Sequence, residues 1–323
     1  MGIESSAHTF GVGIVRNGRI LANEKSMYRI GTTGMIPAKV AQFHSENASE
    51  VMGRALSAAK IGFEDLDGIG YTMGPGMGHC LQVGALSAKT VARMLRIPIA
   101  PVNHAVGHIE IVRHLSGMKD PLALYVSGGN SQILKRSDGH FPHYRVLGET
   151  FDIGVGNMLD TFARKMKLDP AWGSSVEKKA MGGRYMKMPY TVKGMDFSFT
   201  GLLTHSMKQI GHAKDSDICF SLQETAFSML CEATERALLL TNSKELEVCG
   251  GVAQNSRLRE MLASIAKEHG ARFGSVEKQY DADNGAMIAV VAERMLKKGM
   301  DESIGNCGIS QRYRADSARL AGA

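Results

Sequence analysis

The sequence predicts an α/β protein built as a duplicated pair of lobes. Three observations carry this: a hairpin pattern that occurs twice, strand-like apolar runs that alternate with helix-spaced ones, and a chain long enough for two cores. At 323 residues it exceeds the ~100–200 residues usual for one domain. With 44% apolar and 22% charged residues it falls among globular chains and outside the disordered class.

The first hairpin is written in Gly2-Ile3-Glu4, then Thr9 to Val15, an Asn17-Gly18 pair and Ile20-Leu21. Asn-Gly between apolar runs is a strong hairpin signal, because both turn residues must take positive φ. After Gly74-Pro75-Gly76, residues Leu81, Ala85, Ala88, Ala92 and Leu95 recur at helical spacing. The second hairpin repeats the design in Leu122 to Val126, Ser127-Gly128-Gly129-Asn130-Ser131, Gln132 to Leu134, a turn at Asp138-Gly139 and Tyr144 to Leu147. Counted from Asn17 to Asp138, the two turns are 121 residues apart. Leu258, Met261, Leu262 and Ile265 predict a helix after Gly250-Gly251. Another is expected from Ala286 to Lys298, starting after Asp283-Asn284 and ending at Gly299, with Lys297 and Lys298 suited to the C-terminal dipole. Ser116-Gly117 and Asp120-Pro121 punctuate the chain between the hairpins, so the expected lobes are 1–118 and 119–323.

No apolar run reaches the ~18 residues of a membrane span, and Met1-Gly2-Ile3-Glu4 has neither the basic head nor the apolar stretch of an export signal. Lipidation of Gly2 is not expected, because the chain runs straight into a strand pattern. The five cysteines are odd in number, widely spaced and never C-x-x-C, which argues against disulfides and a thiolate zinc site and for a reducing cytoplasm. The net charge of +6 has one source. Between Arg164 and Lys193 eight bases stand against two acids, a surplus equal to that of the whole chain. Such a basic segment, expected around 164–193 as an insertion in the second lobe, is either a solvated surface or a path for polyanionic nucleic acid.

His104 and His108 stand at i, i+4, which places both imidazoles on one helical face, with Gly107 leaving room for a bulky neighbour. This is metal-ligand spacing, and equally the spacing of two satisfied histidines. It is not the H-E-x-x-H protease motif, since Ala105 stands where the glutamate base would be. A carboxylate to complete a site would come from Asp281 or Asp283, although Asp283 could simply cap the following helix. Two imidazoles and one carboxylate leave coordination positions open and suit iron or zinc better than magnesium. The Ser127-Gly128-Gly129-Asn130 turn after an apolar strand offers backbone N–H groups to an anionic or polar ligand. Its mate, Cys249 to Asn255, would let a flat ring lie on the backbone. With Asp160, the two turns read as nucleotide contacts from two faces of a cleft. No Walker A motif is present.

Taken together, these strings resemble one family along nearly the whole chain. They are Gly2-Ile3-Glu4 with Ala7 to Ile14, Gly74-Pro75-Gly76, His104-x-x-x-His108, Tyr125 to Asn130, Gly148-Glu149-Thr150-x-Asp152-Ile153-Gly154, Gly156-Asn157-x-x-Asp160, Lys193 to Gly201, Gly250-Gly251-Val252 and Asp283 to Ala289. The chain is similar to the archaeal and eukaryotic type of tRNA adenosine threonylcarbamoyltransferase, the catalytic subunit of the KEOPS complex. The resemblance implies the duplicated fold of actin, hexokinase and Hsp70, two lobes around a nucleotide cleft. It implies transfer of the threonylcarbamoyl group from threonylcarbamoyl-adenylate to the exocyclic amine of the adenosine 3′ of the anticodon, with release of AMP. It also implies one divalent or trivalent metal ion per subunit, iron ahead of zinc, held by His104, His108, Tyr125 and Asp283. The adenylate contacts it implies are Tyr125, Val126, Ser127, Gly128, Gly129, Asp160, Gly173, Glu177 and Asn255. The family's Pro- and Gly-rich stretch before the glutamate reads Ala171-Trp172-Gly173-Ser174-Ser175 here. Partners implied are tRNA, a small atypical protein kinase subunit, a small dimerising subunit and a further tRNA-binding subunit. In some archaea the kinase is fused at the C-terminus; this sequence ends at Ala323.

An exocyclic adenine amine is a poor nucleophile, so the carbon it attacks needs polarisation and close positioning, which a metal can supply. No activated serine or cysteine is evident, which favours direct transfer over a covalent intermediate. A metallopeptidase would need the missing glutamate. A small-molecule kinase would turn over ATP on the same fold, and a nucleotide-gated scaffold would need no metal ligands.

Overall fold

The computed structural model describes residues 1–29, 36–137 and 142–320. It divides into two compact units. One is Met1–Leu115 with Ser137–Tyr144 and Glu277–Ala323; the other is Ser116–Arg136 with Arg145–Val276.

The first unit is built on a five-stranded sheet in the order Arg19–Met27, Thr9–Arg16, Gly2–Glu4, Ile69–Gly74, Ile99–Asn103. The first three strands are antiparallel neighbours and the last two join in parallel. Asn17 and Gly18 take φ of 52° and 78°, the two left-handed residues that the tight hairpin needs. The strand Thr9–Arg16 is buried from Thr9 to Ile14, so both its faces are covered. Alternate side chains point to opposite faces of a strand. Phe10, Val12 and Ile14 join the core with Val51 and Ala55 of helix Pro37–Ala59 and Ala88 and Ala92 of helix Gly78–Leu95. The opposite face is stripped to glycine for helix Gly285–Lys297. A Cβ on Gly13 would stand 2.3 Å from the Ala286 nitrogen, and one on Gly2 would stand 2.2 Å from that of Ala289. Backbone lies on backbone there, which only glycine permits.

The second unit's sheet runs Arg272–Gly274, Glu245–Cys249, Leu122–Val126, Ser131–Ser137, His143–Glu149. Numbered by appearance within each sheet, both have the order 3-2-1-4-5. In both, strand 1 is antiparallel to strand 2 and parallel to strand 4, and strand 4 is parallel to strand 5. The duplication read from the hairpins is therefore a duplication of topology. The Asp138-Gly139 turn lies outside the described residues. Helix Val155–Lys165 turns Val155, Met158, Leu159 and Phe162 inward at the i, i+3, i+4, i+7 spacing of one apolar face. Helix Asp215–Thr241 passes through the core.

These units differ from the division at 118 and 119. The change of unit falls at Leu115 and Ser116, and from Glu277 the chain returns to the first unit. The reason is the glycine-lined face, which only the late helix Gly285–Lys297 covers. The basic segment is likewise woven into its unit. It contains the end of helix Val155–Lys165 and all of helix Gly173–Ala180, and it buries Val176, Ala180 and Met188 in the core. Its eight basic side chains are all exposed. Among the described residues, no helix is long and apolar enough to cross a membrane.

Candidate metal centre and adenylate subsite

Helix His104–Ser116 follows strand Ile99–Asn103 without a loop, and the Asn103 side chain caps it by accepting the Val106 amide at 3.1 Å. The helix is buried from His104 to Val112. One turn apart, the His104 and His108 rings meet edge to face with centroids 4.7 Å apart. The neighbour for which Gly107 leaves room is helix Gly285–Lys297, since a Cβ there would meet Met287 and Ile288 at 3.3 Å. That helix is capped by Asn284, whose side-chain oxygen accepts the Met287 amide at 3.0 Å. The cap is thus not Asp283, whose Oδ1 lies 3.3 Å from His108 Nε2 and 3.6 Å from His104 Nε2. One ligand atom from each of the three side chains falls within 4.8 Å of the others. Asp281 is fully buried and outside this group.

The second nitrogen of His104 is held from behind. Its Nδ1 lies 3.0 Å from Oε2 of Glu4, a wholly buried carboxylate on strand Gly2–Glu4. Burial works against a charged His104 ring, but the Glu4 and Asp283 carboxylates outweigh it and raise its pKa to about 9. Burial keeps His108 below the ordinary imidazole value despite its hydrogen bond to Asp283. Burial would raise the Asp283 carboxyl, yet the hydrogen bond from His108 and the charges of both rings hold it well below the usual carboxylate range. Two imidazole nitrogens and one carboxylate oxygen are a borderline donor set that suits iron or zinc and leaves positions open. A carboxylate behind a ligating histidine is the usual outer support of such a site. The donor set therefore fits a metal ion, whose binding would displace the proton from His104 Nε2.

The other candidate residues lie in the second unit. Tyr125 and Val126 end strand Leu122–Val126 and are buried, whereas Gly128 and Gly129 are exposed. The turn is fixed by the Ser127 amide donating to the Asn130 carbonyl at 2.8 Å and by the first amides of helix Val155–Lys165. Gly156 donates to the Ser127 carbonyl at 3.2 Å and Asn157 to that of Gly128 at 3.0 Å. Asp160, on the same helix, accepts the Gly173 amide at 2.8 Å. Helix Gly173–Ala180 then carries Glu177 to Ser256, whose amide and hydroxyl donate to Glu177 Oε1 at 2.9 and 2.7 Å. Asn255 caps helix Ser256–Glu268 through the Arg257 and Leu258 amides and donates to Gln223 at 3.0 Å. Glu177, Gln223 and Ser256 help to line a cavity of about 250 Å³. Gly250 has φ 94° and passes the Val126 carbonyl, while Gly251 is exposed with nothing near its Cβ position.

The structure thus brings together His104, His108 and Asp283 in one unit. In the other it links the Ser127–Gly129 turn, Asp160, Gly173, Glu177 and Asn255. Sequence reasoning did not assign Glu4, Gln223 or Ser256. The available signals were weak: a carboxylate directly after Gly2-Ile3 in the first strand pattern, and a hydroxyl directly after Asn255; Gln223, beside Glu224 and Thr225, carries none.

A family model described as tRNA N6-adenosine threonylcarbamoyltransferase matches residues 18–290. The chain is 46% identical over 98% of its length to a probable bifunctional tRNA threonylcarbamoyladenosine biosynthesis protein of Thermoplasma acidophilum, and it spans 60% of that relative. It is 42% identical to the Homo sapiens tRNA N6-adenosine threonylcarbamoyltransferase, covering 99% of this chain and 98% of the human one. Among solved structures, it matches the crystal structure of T. kodakarensis HypF with a TM-score of 0.61 and 16% identity, over 89% of this chain and 46% of that one. That likeness concerns the fold alone, the duplicated actin, hexokinase and Hsp70-like class. By family match and close relatives alike, the chain belongs to the tRNA N6-adenosine threonylcarbamoyltransferases.

Proposed function

We propose that the chain transfers a threonylcarbamoyl group from threonylcarbamoyl-adenylate to the exocyclic amine of the adenosine 3′ of the tRNA anticodon. The amine nitrogen bonds to the carbamoyl carbon, the bond from that carbon to the phosphate oxygen breaks, AMP leaves and the amine gives up one proton. Family membership supports the transfer and its acceptor. The observation that carries the metal-assisted form is the convergence of His104, His108 and Asp283 within 4.8 Å. These three residues, with Tyr125 as a fourth ligand, would hold one metal ion, iron ahead of zinc. When bound, the ion supplies Lewis-acid polarisation of the donor's oxygens.

The chain's own groups do the rest. The exposed Gly128 and Gly129 amides suit the phosphate or threonyl end of the donor. Asp160, Gly173, Glu177 and Asn255 suit its ribose and base, and Glu177 lines the 250 Å³ cavity. The eight exposed bases from Arg164 to Lys193 suit the tRNA backbone. The reading extends to a cytoplasmic setting and to work with a small atypical kinase, a small dimerising subunit and a further tRNA-binding subunit.

The test is transfer of labelled threonine into tRNA, with a separate adenylate-forming enzyme supplied, with and without those partners. Label in the adenosine 3′ of the anticodon, with AMP released in equal amount, is the expected result. Turnover of ATP on a small acceptor without labelled tRNA would instead select a kinase.

A further inference from the structure

Glu4 is a wholly buried carboxylate at the end of the central strand of the first sheet. An isolated charge there would be costly, and three donors meet it. Oε1 accepts the Ser6 amide at 2.6 Å, while Oε2 accepts the Thr72 hydroxyl at 2.7 Å and lies 3.0 Å from His104 Nδ1. An ionised carboxylate can only accept. The hydrogen between Oε2 and the imidazole therefore sits on Nδ1, and Nε2 is the nitrogen turned toward Asp283, 3.6 Å away. Ser6 follows strand Gly2–Glu4 and Thr72 lies on strand Ile69–Gly74, so the sheet itself aims the carboxylate.

We propose that Glu4 is a positioning residue of the metal centre, deciding which nitrogen of His104 is offered as a ligand and strengthening it as a donor. This rests on reading His104, His108 and Asp283 as the metal ligands. A ligating histidine needs its other nitrogen bound for its ring to be oriented, and a carboxylate does this while adding electron density. Thr72 serves the same end one step back, by holding the Glu4 oxygen that faces His104.

The experiment uses the full chain freed of metal and cobalt(II) alone as the probe. Affinity is read by competition with a chelator and ligand geometry by visible absorption. Glu4→Gln is expected to bind cobalt about 10–100-fold more weakly, with shifted absorption bands. Thr72→Val keeps the carboxylate and removes one donor, and is expected to fall between Glu4→Gln and wild type. A role in stability alone would lower the unfolding midpoint and leave the folded protein's affinity and spectrum at wild-type values. That result overturns the proposal and leaves the ligand assignment standing. Should Glu4→Gln fail to fold, Thr72→Val decides alone, and wild-type affinity there overturns the proposal. Wild-type protein without cobalt uptake, or full uptake in His108→Ala, overturns the ligand assignment and this proposal with it.

Discussion

His108 is fully buried, one turn along its helix from His104 and 3.3 Å from Asp283. His108→Ala should empty the metal centre, and because the ring is buried it should also leave a cavity that costs about 2–4 kcal/mol. Elemental analysis of the folded variant checks this; metal content equal to wild type would remove His108 from the site. The glycine turn allows a cleaner separation of fold from ligand. A Cβ on Gly129 has open space, whereas one on Gly128 stands 3.2 Å from Asn157 Oδ1. Gly129→Ala should therefore leave the unfolding midpoint near wild type, and Gly128→Val should lower it, while both weaken binding of an unreactive adenylate analogue. Calorimetric titration showing wild-type affinity in both would take the turn out of the donor site. At this scale the sequence was readable where chemistry is local. The spacing of the histidine pair places both rings on one helical face, but Glu4 stands 100 residues from His104 and only the fold brings them together. Asp283 and Asn284 are both good caps, and nothing in the string tells which one caps and which faces the imidazoles.

Helix Gly285–Lys297 is the element on which the proposed metal centre depends, because Asp283 precedes its cap and its body lies on Gly2, Gly11 and Gly13. Adding a side chain to Gly13 forces backbone away from backbone, so Gly13→Val should cost about 3 kcal/mol or more. It should also weaken metal binding by shifting Asp283 away from the histidines. Urea midpoints and metal affinity together test this, and a loss of stability with unchanged affinity would show that the helix end is held by something else. The hairpin at Asn17-Gly18 and the helix spacings were legible because turn chemistry and periodicity are properties of short segments. The glycines of the second strand carry no such label. Gly11 and Gly13 read as ordinary members of an apolar run, and that they are a bed for a helix follows only from the packing. The return of the chain from Glu277 to the first unit was hidden for the same reason.

Across the whole molecule, two units whose sheets share one strand order carry unlike equipment: the proposed metal ligands and Glu4 in the first, the glycine turn and the 250 Å³ cavity in the second. Between Arg164 and Lys193 the second unit exposes eight bases against two acids, Asp169 and Glu177. Reversing Lys178 and Lys179 to Glu should weaken tRNA binding for all sequences alike. It should also flatten the salt dependence by about one unit of slope for each phosphate left without its cation. Lys179 has one acidic neighbour, Asp215 at 3.8 Å, and both side chains are exposed, so the reversal should barely move stability. Filter binding across a salt series checks it; an unchanged slope would return the segment to a solvated surface. The bed of glycines has a further consequence, in time rather than space. Gly2, Gly11 and Gly13 leave the ribosome more than 270 residues ahead of the helix that covers them. At about 5–20 residues per second the wait is roughly a quarter of a minute to a minute. Throughout it the hairpin's bare backbone face is uncovered and Asp283 does not yet exist, so the cluster of His104, His108 and Asp283 is among the last features a nascent chain can complete.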